Sequence, residues 1–207
     1  MLSPPSPATT AREAAFVPAR REYKYLLPRR QLPALRAALD GICTRDAYAG
    51  PDGTYLIRSL YFDTIDLRLF QATERDAPER YNARLRHYPE APRAPLMAEI
   101  KARRGDTIKK SRGLLSPDEW PAVLGSGAAP ARPSSPLDNF ISRLRIHDLR
   151  PVVLVQYRRE AWASTLDEYA RVSVDTEIVC CRQERLAFDM QGRGRPVDTP
   201  LPTWTSE

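Results

Sequence analysis

At 207 residues and 42% hydrophobic content the chain is long enough for one domain with a substantial core and too short for two of ordinary size. No apolar run reaches the roughly 18 residues of a membrane-spanning helix, and the N-terminus has no basic start followed by an apolar stretch, so a cytoplasmic chain is expected. Three Cys fit neither a disulfide framework nor a C-x-x-C metal site, two His are too few for a His-based zinc site, and 32 basic against 26 acidic residues favour an anionic partner.

Residues 1–17, rich in Pro, Ser, Ala and Thr, are expected to be a disordered tail ahead of one domain over 18–190. "REYKYLL" reads as a first strand. "PRRQLPALRAALDGI" carries Leu32, Leu35 and Leu39 at helical spacing and ends on Gly41. "TYLIRSLYFDT" (54–64) is a strand rich in β-branched and aromatic residues, with a short helix or turn in "IDLRLFQATERD" behind it. Two charged strands follow at 81–88 and 96–103. Ser116 opens a predicted helix with acidic first-turn residues, residues 125–136 form a flexible linker, and "LDNFISRLRIHDL" is a second amphipathic helix. Strands return at 152–163 and 169–181, with a candidate at "ERLAFDM", and the tail 191–207 is predicted to hold none.

The charged residues of these strands keep one parity: Glu22 with Lys24, Arg84 with Arg86, Glu99 with Lys101, Tyr157 with Arg159, and Arg171 with Ser173 and Asp175. Residues two apart share a face, so each strand has one face of cations and carboxylates. One such strand is usually a half-solvated sheet, but five of them, closed into a barrel, would gather their cations in one lumen. The Lys are informative as well. Against 28 Arg there are only four Lys, at 24, 101, 109 and 110, where a compact point charge replaces a guanidinium fork. Cations buried without partners cost several kcal/mol each, which makes multivalent phosphate a natural occupant and a hard divalent ion a reason for the carboxylates.

In order, "EYKYLL", "YLIRSLYFDT", "RYNARLRHY", "AEIKARR", "IKKSRG", "VQYRREAW" and "ARVSVDT" resemble the VTC domain, the polyphosphate polymerase domain of the triphosphate tunnel (CYTH-like) superfamily. The resemblance runs from about residue 20 to about residue 177. It implies an α+β fold, an antiparallel β-barrel tunnel with flanking helices, whose basic lumen takes ATP, triphosphate or polyphosphate with Mn²⁺ or Mg²⁺. It implies that Lys24, Arg84, Arg86, Lys101, Arg159 and Arg171 act on the transferring phosphate, with Lys110 and Arg112 as further phosphate ligands. Tyr157 falls where the family places an aromatic against a nucleotide base.

The family's late Glu-x-Lys strand has no counterpart after "VSVDTEI", so the barrel is expected to be incomplete at its C-terminus, in a shortened member or a piece of one. Metal binding would then fall to Glu22 and Glu99, with Asp175 in reserve. The leading function is phosphotransfer from ATP to a polyphosphate chain. The alternatives are a non-catalytic polyphosphate- or nucleotide-binding module and a triphosphate hydrolase of the same superfamily. Nucleic acid is disfavoured, because the charges sit in strand alternation and no RNA-binding signature appears.

Overall fold

The computed structural model describes residues 23–167, 170–190 and 194–197. Eight strands form one antiparallel sheet: β1 (Cys43–Arg45), β2 (Tyr55–Asp63), β3 (Glu79–His87), β4 (Leu96–Arg104), β5 (Thr107–Leu115), β6 (Arg150–Ser164), β7 (Arg171–Arg182) and β8 (Arg195–Pro196). Their order is β5-β4-β3-β2-β6-β7-β8, with β1 on the far end of β6. Among the described residues three α-helices accompany them: α1 (Leu32–Asp40), α2 (Arg68–Glu74) and α3 (Ser135–Ile146).

Strand parity decides what each face does. Leu60 and Phe62 of β2, Ala83 and Leu85 of β3, Leu96, Ala98 and Ile100 of β4, Leu115 of β5 and Leu154 of β6 all turn to one side. There they meet Leu137 and Phe140 of α3, and the rings of Phe62 and Phe140 pack edge to face at 5.8 Å. Each Leu, Ile or Phe of this set contributes about 1.5–3 kcal/mol by leaving water. Ser134 caps α3, its hydroxyl accepting from the Leu137 N–H at 3.4 Å. Gly113 lets the helix come down onto β5: a Cβ there would lie 2.6 Å from the Leu137 Cα.

The ends of this layer are also tied. Arg36 of α1 donates from Nε to the buried Glu160 of β6 at 3.0 Å. The segment after β7 returns across the same face, where Phe188 packs between His87 (5.1 Å) and Trp120 (5.4 Å) and its carbonyl accepts from Arg58 at 2.9 Å. Asp63, at the end of β2, accepts from the Leu69 and Phe70 N–H groups and so starts α2.

The α+β architecture and the antiparallel sheet agree with expectation, and the barrel, expected to be incomplete at its C-terminus, is not closed. Among the described residues the sheet is open, because neither end of its strand order finds a partner for its outer edge. Residues 23–28 carry no strand, so the predicted first strand is corrected there, and β8 is only two residues long. Closure needs consistent stagger and tilt around the whole ring, and a two-residue strand offers too little ladder to supply it. Other elements differ too. Strand β5 is not among the expected strands, since Lys109, Lys110 and Arg112 hide its alternation. Ser116 accepts from the Asp118 N–H and opens a turn into a short helical segment, residues 120–126, whose last turn, Ala122–Ser126, is wide, and 184–190 holds no strand. The short β8 lies in a tail predicted to have none, bonded to β7 through the register Val179–Pro196 and Cys180–Arg195.

Candidate functional site

The face of the sheet turned away from α3 carries the charged parity. Register places Arg112, Glu99, Arg84 and Tyr61 side by side across β5, β4, β3 and β2, and the next rung holds Leu114, Met97, Arg86 and Ser59. Long side chains on adjacent strands reach one another across such rungs. Glu99 is the hub. Its Oε2 accepts from Arg84 Nε at 2.8 Å and lies 3.6 Å from Arg86 Nη2, and its Oε1 accepts from Arg112 Nε at 2.9 Å. Burial pushes the Glu99 carboxyl up, but the charges of Arg86, Arg84 and Arg112 outweigh it and hold the group below the usual Glu range.

The middle of this face is buried. Arg86 is 7% exposed, Glu99 8%, and Ser59 and Ile57 0%. Arg84 also donates from Nη1 to the Tyr61 hydroxyl at 3.1 Å. Burial would lower its pKa, yet Tyr61 and Glu99 raise it above the ordinary guanidinium value, so the charge is permanent. Two buried donors here have no partner, Arg86 Nε and Ser59 Oγ.

Further along β6, Tyr157 is 8% exposed and stands between Arg86 and Arg159. Burial raises its pKa, and those two cations oppose the shift. The Arg159 guanidinium lies 5.2 Å from the Tyr157 ring centroid and grips Asp175 of β7 with both prongs, at 2.6 and 2.7 Å. Tyr55, opposite Arg159 in register, has its phenol pushed up to about 12, chiefly by burial.

The sequence-predicted residues therefore divide. Arg84, Arg86 and Arg112 converge on Glu99, with Tyr157 and Arg159 beside them on the same face. Lys101 and Lys110 face each other in register one step nearer the tip of the β4–β5 hairpin, half-buried and exposed respectively. Arg171 is exposed, four residues beyond Asp175 on β7, about 13 Å along the strand. Lys24 is exposed in the stretch without a strand, and Glu22 lies outside the described residues. Sequence reasoning missed Ser59, Tyr61 and Tyr55. They share the parity of the site, but β2 is the buried centre of the sheet and both of its faces read as apolar.

Residues 19–202 match the family model of the VTC domain. The chain belongs to the VTC domain family. The expected resemblance is thus borne out over most of the chain. A crystal structure described as a "putative adenylate cyclase" from Bacillus halodurans is also similar, at 17% identity and a TM-score of 0.45 over 76% of this chain and 68% of that one. No curated protein matches.

The Mn²⁺ or Mg²⁺ that the family resemblance implies is poorly served by the described part of this VTC domain. Among the described residues no three His, Cys, Asp or Glu side chains converge. Both oxygens of Glu99 are held by guanidiniums, and both oxygens of Asp175 by Arg159. A hard cation would have to displace those arginines. The same donors suit an anion, since Arg84, Arg86 and Arg159 present N–H groups and charge on one face of the sheet, with Arg112 at its exposed margin. No helix among the described residues is long and apolar enough to cross a membrane.

Proposed function

We propose that this face binds triphosphate or polyphosphate and that the VTC domain is a polyphosphate polymerase-type phosphotransferase, moving the terminal phosphate of ATP onto a polyphosphate chain. The single observation behind this reading is the convergence of Arg84, Arg86 and Arg112 on one buried carboxylate, with Arg159 and Tyr157 alongside. Three guanidiniums around one carboxylate leave an excess of positive charge at low dielectric, and the oxygens of a phosphate chain would complete it.

Phosphoryl transfer asks mainly for position and charge, because its transition state spreads negative charge over the equatorial oxygens with little covalent help from protein. Arg84 and Arg86, fixed by Tyr61 and Glu99, would meet that charge without reorganising. Arg159, held by Asp175, would fix a phosphate further along the chain, and Tyr157 offers its ring to the base of ATP. Lys101, Lys110 and Arg171 extend the cationic track, and Lys24 is a further phosphate ligand if the residues before 28 reach it.

A second reading, a binding module without turnover, is favoured by one observation: among the described residues the acidic side chains of the site, Glu99 and Asp175, are already engaged by arginines. ATP labelled in its γ-phosphate, incubated with the full chain and Mn²⁺ or Mg²⁺, separates the readings. Label in a long polymer is the expected result. Free phosphate without polymer points to a triphosphate hydrolase, and tight polyphosphate binding with no ATP consumed supports the module.

A further inference from the structure

Strand β2 contributes a hydroxyl to the middle of the charged face. Ser59 is fully buried, its Oγ has no hydrogen-bond partner, and its cross-strand neighbour is Arg86. Arg86 is itself 7% exposed, and its Nε is likewise buried without a partner, while its Nη2 reaches Glu99 only at 3.6 Å. Residues opposite each other in an antiparallel pair hold their Cβ atoms about 4.5–5.5 Å apart, so the two unsatisfied donors belong to directly opposed side chains. Leaving a buried donor unpaired costs about 1–3 kcal/mol, and two adjacent ones are rarely kept in a packed sheet without an acceptor that arrives.

Building on the phosphate-binding reading, we infer that Ser59 and Arg86 together form the deepest phosphate subsite of the face. Ser59 O–H and Arg86 Nε–H both donate to oxygens of a single phosphate group. Ser59 and Arg86 hold the buried unpaired donors of this face, so the phosphate they take is the one furthest from solvent. Ser59 is thus a binding residue for phosphate. Its role differs from that of the arginines: a neutral hydroxyl adds direction without charge, and a phosphate oxygen satisfies it as a bulk counter-ion does not. Arg84 completes the surroundings, since its guanidinium is anchored one rung away by Tyr61 and Glu99 and leaves Arg86 the less tightly held of the pair.

Calorimetry of inorganic triphosphate with the full chain and with Ser59→Ala tests the subsite, read beside the melting temperature of each protein without ligand. The alanine variant is expected to bind about tenfold more weakly or worse, while its ligand-free melting temperature stays level or rises, since an unsatisfied buried hydroxyl has gone. Ser59→Cys keeps the volume with only a weak donor and is expected to follow it. Ser173→Ala, exposed on β7 of the same face, should bind as wild type does. If Ser59→Ala and Ser59→Cys both bind triphosphate within twofold of wild type, the subsite is wrong and the phosphate-binding reading stands. Wild-type protein that takes up no triphosphate overturns that reading and the subsite with it.

Discussion

The two faces of this sheet are cut from the same strands and treat burial in opposite ways. Toward α3, Leu60, Ala83, Leu85 and Ala98 are wholly buried in a mainly apolar layer, where Tyr81 Oη and His87 Nδ1 are buried polar atoms without partners. Away from α3, the residues one position along in the same strands, Ser59, Arg84, Arg86 and Glu99, are buried or half-buried with charges that need partners, and two donors lack them. A chain selected for stability alone would fill the second face as it fills the first, because replacing buried ion pairs by packed apolar groups is often neutral or stabilising. The difference teaches that one face holds the fold while the other is kept ready for an anion, and three measurements can break or sharpen that division.

The largest effect belongs to the packed face. Phe140→Ala removes a fully buried ring that meets Phe62, and should lower unfolding stability by about 3–5 kcal/mol in a denaturant titration. Triphosphate affinity of the molecules still folded should not change. A large loss of affinity at constant fold would show that the faces are coupled and the division false.

Glu99→Gln comes next and works on the other face. Three guanidiniums lose their shared counter-ion, so stability should fall by roughly 1–3 kcal/mol, whereas triphosphate should bind more tightly because a negative charge has left an anion site. The pH profile gives a second check. The folded carboxyl is held below the usual Glu range, so its stabilisation is complete above the unfolded value of about 4.3 and is lost as pH falls through the folded one. Acid unfolding of the variant should therefore be shallower below about pH 4 than that of wild type.

The smallest effect tests the seam where the late segment crosses the packed face. His87 is half-buried against Phe188 with Nδ1 unpartnered, and burial, aided by the Arg58 charge, holds its pKa below the usual value. The unfolded chain takes up the proton first, so His87 lowers stability as pH falls below about 6.5. In His87→Leu the dependence of the denaturation midpoint on pH between about 7 and 5 should flatten, with triphosphate affinity unaltered.

Alternation alone determined much of this molecule. With side chains two apart on one face, "NARLRHY" and "MAEIKAR" had to present Arg84, Arg86, Glu99 and Lys101 together and bury Ala83, Leu85, Ala98 and Ile100 on the reverse, whatever the topology. The motifs that carry the resemblance are made of the same residues, which is why the family was legible as well. Ser59 and Tyr61 were not, because in a central strand both faces are buried and a hydroxyl among Leu and Ile carries no periodic signal. Nor does parity say which cation meets which carboxylate. That Glu99 gathers Arg84, Arg86 and Arg112 while Arg159 takes Asp175 depends on strand order and register, which bring residues up to 28 positions apart onto neighbouring rungs. The missing late motif pointed to an incomplete barrel, but which edges stay open depends on whether the two outermost strands find each other, and among the described residues β5 and β8 each keep an open edge.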